Sequence, residues 1–238
     1  MHKNNQPTPH AAAVIAAAGS GRRMNSGCNK QFIMLDGMPV LARTLMQFQK
    51  AELIDKIIIV AKEDEILTVH DLVREFNITK VTDIVPGGAE RRDSVFCGLK
   101  FAEVSDVTAI HDGARPFVSV EKINESILAA NEYGAAALGV PVKDTVKAVN
   151  AENIVTQTPD RDTLRLIQTP QSFRTELILK AYAHAQQTGF SGTDDCSVAE
   201  NMNIPVKIIG GEYTNIKITT PEDIPFAKAI LSHIGDNI

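Results

Sequence analysis

A doubly wound α/β fold with a mainly parallel, twisted sheet is predicted by three observations. Apolar runs of strand length alternate with segments of helical periodicity, and the first run ends in a glycine-rich loop. The chain is also long enough, at 238 residues with 44% hydrophobic content, to bury most of its apolar surface in one domain. The strand-like runs fall at residues 11–17, 56–61, 81–85, 107–111, 135–140 and 206–209. Helical spacing covers 41–49, 64–76, 91–101, 120–133, 176–187 and 221–233, where Pro221 suits a first turn after Thr220. Such alternation gives right-handed crossovers and helices on both faces of a Rossmann-like sheet. One stretch, residues 145–158, breaks the pattern with two short β-rich runs around residues 150–153, a hairpin signal. From pattern alone it reads equally as an edge hairpin on its own sheet and as a projecting arm.

The expected organisation is a flexible tail over 1–10, a single domain over 11–234 with the hairpin inside about 142–169, and a short tail over 235–238. Twenty-four Lys and Arg against 29 Asp and Glu leave a net charge of -5, which argues against nonspecific binding to nucleic acid or anionic membranes. The three cysteines, Cys28, Cys97 and Cys196, are scattered and odd in number, which fits a reducing cytoplasm better than a disulfide framework. The apolar run at 11–18 is too short to span a bilayer. It is rejected as a signal-peptide core because cleavage near it would remove the first strand.

Residues 16–30 read AAAGSGRRMNSGCNK, joining glycine to fixed positive charge directly after that strand. Gly19 and Gly21 let the backbone turn and approach a ligand, while Arg22, Arg23 and Lys30 suit a phosphate chain. A dinucleotide fingerprint would need a third glycine where Met24 stands, and the segment 60–62 lacks an acidic ribose ligand. A Walker A loop would need Gly-Lys-Ser/Thr, whereas Gly27 precedes Cys28. In a doubly wound sheet the ligand crevice lies beyond the carboxyl ends of the strands, where the loops after Ala17, Val85, His111 and Val140 converge.

The loop's G-x-G-x-R-M pattern is followed by Lys30-Gln31-Phe32, and further segments read GGAERRDSV at 87–95, HDGARPF at 111–117 and VKDTVK at 142–147. Asp160-Arg161 precedes LIQTPQSF, and TDD at 193–195 precedes NIKITTPED. In this order and combination, from about residue 11 to 233, the chain resembles the 2-C-methyl-D-erythritol 4-phosphate cytidylyltransferase family. The resemblance implies transfer of a cytidylyl group from CTP to the phosphate of methylerythritol 4-phosphate, with release of pyrophosphate, in the non-mevalonate isoprenoid pathway. It implies Arg23, Lys30 and Lys217 as catalytic cations around the triphosphate and α-phosphorus. Ala17, Ala18, Gly19, Gly21, Gly88, Ala89, Arg91, Ser94 and Gly113 are implied on the nucleotide side. Ala89 stands where some relatives carry an acidic side chain, so a side-chain contact there is absent. Asp112, Arg115, Thr145, Arg161, Thr169 and Thr193 are implied on the acceptor side.

Taken singly, each cation reads as a surface residue, Asp112 with Arg115 as a structural salt bridge, and each threonine as a strand former, so the assignments rest on the resemblance. The resemblance also implies a homodimer in which the arm carries Arg161 to the neighbouring site, and Mg²⁺ delivered on the CTP phosphates with no dedicated protein ligand. Two other functions share these features: a ribitol 5-phosphate cytidylyltransferase, disfavoured by HDGARPF and by Asp160-Arg161, and a catalytically silent nucleotide-binding module. The second would have no need of the acceptor-side residues.

Overall fold

The computed structural model describes residues 8–19 and 29–234. The first half runs β1 (Ala11–Ala16), a 3-10 turn (Lys30–Phe32), a small hairpin of β2 (Met34–Leu35) and β3 (Met38–Pro39), α1 (Val40–Lys50), β4 (Ile54–Ala61), α2 (Ile66–Glu75), β5 (Val81–Pro86), α3 (Arg91–Leu99) and β6 (Val107–Asp112). The second half runs α4 (Val120–Tyr133), β7 (Ala135–Pro141), β8 (Ala148–Val149), β9 (Val155–Gln157), β10 (Arg165–Arg174), α5 (Thr175–Thr188), α6 (Asp195–Glu200), β11 (Lys207–Gly210) and α7 (Asp223–Ile234).

Seven strands form one sheet in the order β5-β4-β1-β6-β10-β7-β11. The pairs β5/β4, β4/β1, β1/β6 and β7/β11 are parallel, and β10 runs antiparallel between β6 and β7. The mainly parallel sheet expected from the sequence is therefore present, with one reversed strand that periodicity did not reveal. Pro170 lies inside β10, and a proline demotes a run to an edge or a non-strand. The protein accommodates it by an irregularity: pairing with β7 skips from Ile167 to Gln171.

Alternation along the buried strands sorts side chains onto two faces. Ala13 and Ile15 of β1 and Ile57 and Ile59 of β4 pack with Leu41, Leu45 and Phe48 of α1, Leu72 of α2 and Ile123 and Ile127 of α4. Val14, Ile58 and Val60 face the other way, onto Val95 and Leu99 of α3, Ile178 of α5 and Val198 of α6. Helices thus cover both faces. A third apolar cluster joins Leu35 of β2, Val40 of α1, Ala114, Phe117, Ile218 and Leu231 of α7, and it seats the loop after β6 against the loop before α7.

Helix ends follow local chemistry. The Ser119 hydroxyl accepts from Lys122 N–H at the start of α4, and Gly134 ends that helix at φ +91. α7 starts at Asp223, two residues later than Pro221 suggested. The Asp223 carboxylate accepts from Thr219 N–H and Thr220 N–H (2.7 and 2.8 Å), which closes a separate turn ahead of the helix. The short strands β8 and β9 pair antiparallel outside the main sheet and carry exposed side chains, so the hairpin projects as an arm.

Candidate active site

β1 and β6 run side by side with Ala16 opposite Asp112, so both strands end at the same level. Backbone bonds then tie the outgoing loops together: Gly113 N–H donates to Ala16 O (3.0 Å), Ala17 N–H to Val60 O (2.7 Å) and Gly87 N–H to Ala61 O (2.8 Å). At Gly87 two of these loops come into close contact. A Cβ there would sit 2.6 Å from Ala18 Cβ and 2.7 Å from Ser94 Oγ, so only glycine lets the loop entering α3 lie on the loop leaving β1.

These loops surround a cleft of about 460 Å³. Of the residues expected from the sequence, it brings together Ala18, Gly19, Lys30, Gly88, Ala89, Arg91, Ser94, Asp112 and Lys217. Gln31, Lys62 and Glu90 also wall it, and sequence reasoning did not select them. Ala17 and Gly113 lie buried beside it, Ala17 through its backbone bond to β4 and Gly113 through its bond to β1. Gly21 and Arg23 lie outside the described residues. A larger open hollow of about 710 Å³ lies at the amino ends of β1 and β6, where the Arg174 guanidinium is spent on Asn131 O (2.7 and 3.1 Å).

Asp112 is the hub of the cleft. Lys217 Nζ lies 2.7 Å from its Oδ2, Arg115 Nε 3.5 Å from the same oxygen, and Arg91 Nε 3.3 Å from Oδ1. Burial alone would raise the Asp112 pKa, but Arg91, Lys217 and Arg115 outweigh it and hold the carboxyl well below the usual carboxylate range. Arg115 is itself lowered by burial, which the nearby Asp112 carboxylate opposes. Its NH1 donates to Asn215 O (2.8 Å), while its Nε stays in ion-pair range of Asp112 without hydrogen-bond geometry. The salt bridge that stood as the alternative for Asp112 and Arg115 is therefore formed.

A buried layer supports the hub. Thr169 Oγ1 accepts from Asp112 N–H (3.1 Å) and lies 3.0 Å from His111 Nδ1, and His111 Nε2 lies 3.0 Å from Arg115 O. These bonds are mutually consistent for a neutral imidazole protonated on Nε2, which donates to Arg115 O while Nδ1 accepts from the threonine hydroxyl. Burial pushes His111 down to about 4, in agreement. Thr169, expected on the acceptor side, thus has its hydroxyl turned inward.

Asn215, fully buried, donates through Nδ2 to Thr169 O (2.9 Å) and fixes the segment that carries Lys217. The Ser94 hydroxyl is likewise turned onto its own loop, accepting from Gly88 N–H (3.1 Å) and donating to Glu90 O (3.0 Å). It shapes the loop whose backbone faces the cleft.

The remaining acceptor-side residues stand apart. Thr145 is exposed on the arm, and Arg161 at its base donates from NH1 to Lys143 O (3.3 Å). Thr193 is exposed ahead of α6, two residues before the buried Asp195. Sequence reasoning missed Asp195, although it belongs to the TDD segment that supplied Thr193. Among the described residues, no group of three or more His, Cys, Asp or Glu could hold a metal, and no helix is long and apolar enough to cross a membrane.

The model of the IspD family, 2-C-methyl-D-erythritol 4-phosphate cytidylyltransferase, matches residues 11–233. A protein of that name from Geobacillus kaustophilus (strain HTA426) is 48% identical over 220 residues, covering 92% of this chain and 96% of that one. A namesake from Syntrophus aciditrophicus (strain SB) is 44% identical over 225 residues, covering 94% and 96%. The fold is similar to the crystal structure of 4-diphosphocytidyl-2C-methyl-D-erythritol synthase from Anaerococcus prevotii DSM 20548, at TM-score 0.85 and 37% identity over 94% of this chain and 97% of that one. It is also similar to the 2-C-methyl-D-erythritol 4-phosphate cytidylyltransferase of Thermus thermophilus, at TM-score 0.74 and 29% identity over 92% and 97%. With a matched family model over nearly its whole length and a cation-lined cleft at the carboxyl ends of its strands, this chain belongs to the 2-C-methyl-D-erythritol 4-phosphate cytidylyltransferase family.

Proposed function

We propose that this chain joins CTP to 2-C-methyl-D-erythritol 4-phosphate, forming 4-diphosphocytidyl-2-C-methyl-D-erythritol and pyrophosphate in the non-mevalonate isoprenoid pathway. The observation that carries the reading is the convergence of Arg91, Arg115 and Lys217 on one buried carboxylate, in a cleft that Lys30 also lines. A phosphate monoester has a second pKa of about 6, so the attacking oxygen is already ionised near neutral pH and needs no general base. The protein's work is to bring two anions together and stabilise the charge that builds at the α-phosphorus.

Lys217 suits that work: an ammonium has three donors, so it can keep Asp112 and still reach a phosphoryl oxygen. Lys30 takes the triphosphate from its own wall of the cleft, and the family resemblance assigns Arg23 to the same task. The backbone of Ala17, Ala18 and Gly19 and of the Gly88-Ala89 loop reads base and sugar, with Ser94 and Gly113 shaping those loops. Asp112, Arg115 and Thr193 form the acceptor side, with Thr169 holding the Asp112 backbone from behind, and Thr145 and Arg161 complete it from the arm of a second copy in a homodimer. Mg²⁺ fits this cleft as an ion carried by the nucleotide, since it needs only one or two protein carboxylates, and Asp112 and Glu90 are the ones on the wall. When bound, it neutralises phosphate charge. The net charge of -5 supports an enzyme without nonspecific nucleic-acid or anionic-membrane binding, and the scattered cysteines support a cytoplasmic one.

The test is pyrophosphate release from Mg²⁺ and CTP with methylerythritol 4-phosphate and ribitol 5-phosphate side by side. Release with the first acceptor alone is expected. Preference for ribitol 5-phosphate would overturn the acceptor, and CTP binding without release from either would make the chain a silent nucleotide-binding module.

A further inference from the structure

Asp195, with 0% of its surface exposed, is a buried carboxylate that the reaction above leaves without a task. Its backbone is fixed at the first turn of α6. Asp194 accepts from Ser197 N–H (2.9 Å), and Gln171 accepts from Cys196 N–H (2.9 Å) while donating to Asp194 (2.8 Å). Its own oxygens grip a guanidinium: Arg91 NH1 donates to Oδ1 (2.9 Å) and NH2 to Oδ2 (2.7 Å). Tyr182, buried in α5 and stacked on Phe96, donates its hydroxyl to Oδ1 (2.5 Å).

Arg91 then has donors left over. Of its five N–H donors, two are spent on Asp195 and the Nε donor points to Asp112 Oδ1 at 3.3 Å, which leaves one on each terminal nitrogen of a guanidinium that lines the cleft. Without Asp195, the two nitrogens it holds would be free to turn onto Asp112 or onto a bound phosphate chain. A buried ion pair contributes little net stability compared with apolar packing, so the geometry it imposes is the better reason for its presence.

We infer that Asp195 is a positioning residue: by holding two nitrogens of Arg91, with Tyr182 bracing the carboxylate, it fixes the guanidinium between the nucleotide-side loop and Asp112 on the acceptor side. The two substrate subsites are thereby set relative to each other by a residue that touches neither substrate. This rests on the proposed cytidylyl transfer.

The consequence is a split between binding and turnover. In Asp195→Asn the Arg91 charge stays in the cleft and the buried negative charge behind it is lost, so affinity for Mg²⁺-CTP is kept or improved. Turnover falls on the order of 100-fold, because the guanidinium no longer has one place. In Arg91→Ala the charge itself is lost, and the Kd for Mg²⁺-CTP rises about tenfold together with the fall in turnover. In the double variant kcat is no lower than in Arg91→Ala, since Asp195 acts only through Arg91.

The experiment measures kcat by pyrophosphate release and Kd for Mg²⁺-CTP by calorimetry on these three variants. Near-normal turnover in Asp195→Asn, a Kd that worsens in step with kcat, or additive losses in the double variant would each overturn the inference. If Asp195→Asn does not fold, Tyr182→Phe decides. It keeps the carboxylate and is expected to lower kcat about fivefold at unchanged Kd, and an unchanged kcat counts against the inference. Should the wild type bind Mg²⁺-CTP yet release no pyrophosphate with either acceptor, the functional reading fails separately. The contrast in Kd between Asp195→Asn and Arg91→Ala would still test the positioning.

Discussion

At the carboxyl ends of β1 and β6, charged side chains are buried and are answered from within the chain: Asp112 by Lys217, Arg91 and Arg115, and Asp195 by Arg91 and Tyr182. Along the arm the reverse holds, and apolar side chains stand in solvent. Val149, Ile154 and Val155 are 50%, 63% and 52% exposed, and the two strands pair only with each other. The contrast teaches that one copy of the chain builds the charged cleft around Asp112 by itself. Thr145 and Arg161, proposed for the acceptor, flank a hairpin whose two strands lie outside the main sheet. Exposed apolar side chains on a projecting hairpin are what the proposed clasp on a second copy requires.

The largest way to break the comparison is to remove a crevice cation. Lys217→Ala and Lys30→Ala are each expected to lower kcat on the order of 100- to 1000-fold with an unchanged circular dichroism spectrum, and near-normal rates would refute the assignment. Next comes the buried floor. His111 has its pKa at about 4 in the folded chain against 6.5 ordinarily, because burial disfavours the imidazolium. Between those pH values the unfolded chain binds more protons. Stability that is complete above pH 6.5 therefore drains away as the pH falls towards 4, by up to about 3 kcal/mol. Urea midpoints from pH 4 to 8 should show this slope in the wild type and a shallower one in His111→Gln; equal slopes would contradict it.

The arm gives the third test. Arg161→Ala and Lys30→Ala, each nearly inactive alone, are expected to regain about a quarter of wild-type turnover when mixed and allowed to exchange, because one of the two sites in each heterodimer is then intact. Confirmed heterodimers without activity would remove the shared site. Smallest is the effect on the single chain of Ile154→Asp in the arm. Its unfolding free energy should move by less than about 0.5 kcal/mol, while sedimentation reports weaker association. A large loss of stability would mean that the arm is packed after all.

Much of the fold was legible because buried parallel strands and two-faced helices write their periods into the sequence. The six strands and six helices expected are present, with ends displaced by a few residues. β10 was not legible, since Pro170 interrupts a run that long-range pairing with β6 and β7 makes a strand. The β2–β3 hairpin was too short for periodicity, although Asp36-Gly37, both at positive φ, is a hairpin-turn signal that could have marked it.

Within the site, Gly19, Gly88, Lys30, Arg91 and Lys217 converge on one cleft, yet the part each side chain plays was hidden. Ser94 and Thr169 turn their hydroxyls inward, and Asp195 meets Arg91 across a separation of 104 residues. Local sequence carries no trace of such a contact, and only the neighbouring Thr193 drew attention to the segment.

The most direct test of the account is phosphorus NMR of the purified chain with Mg²⁺, CTP and methylerythritol 4-phosphate. The account predicts a new diphosphate-bridged cytidylyl product and free pyrophosphate in equal amounts, with the acceptor's monoester signal consumed in step. Release of CMP and pyrophosphate with the monoester untouched would mean that water, not the acceptor phosphate, attacks, and would contradict it.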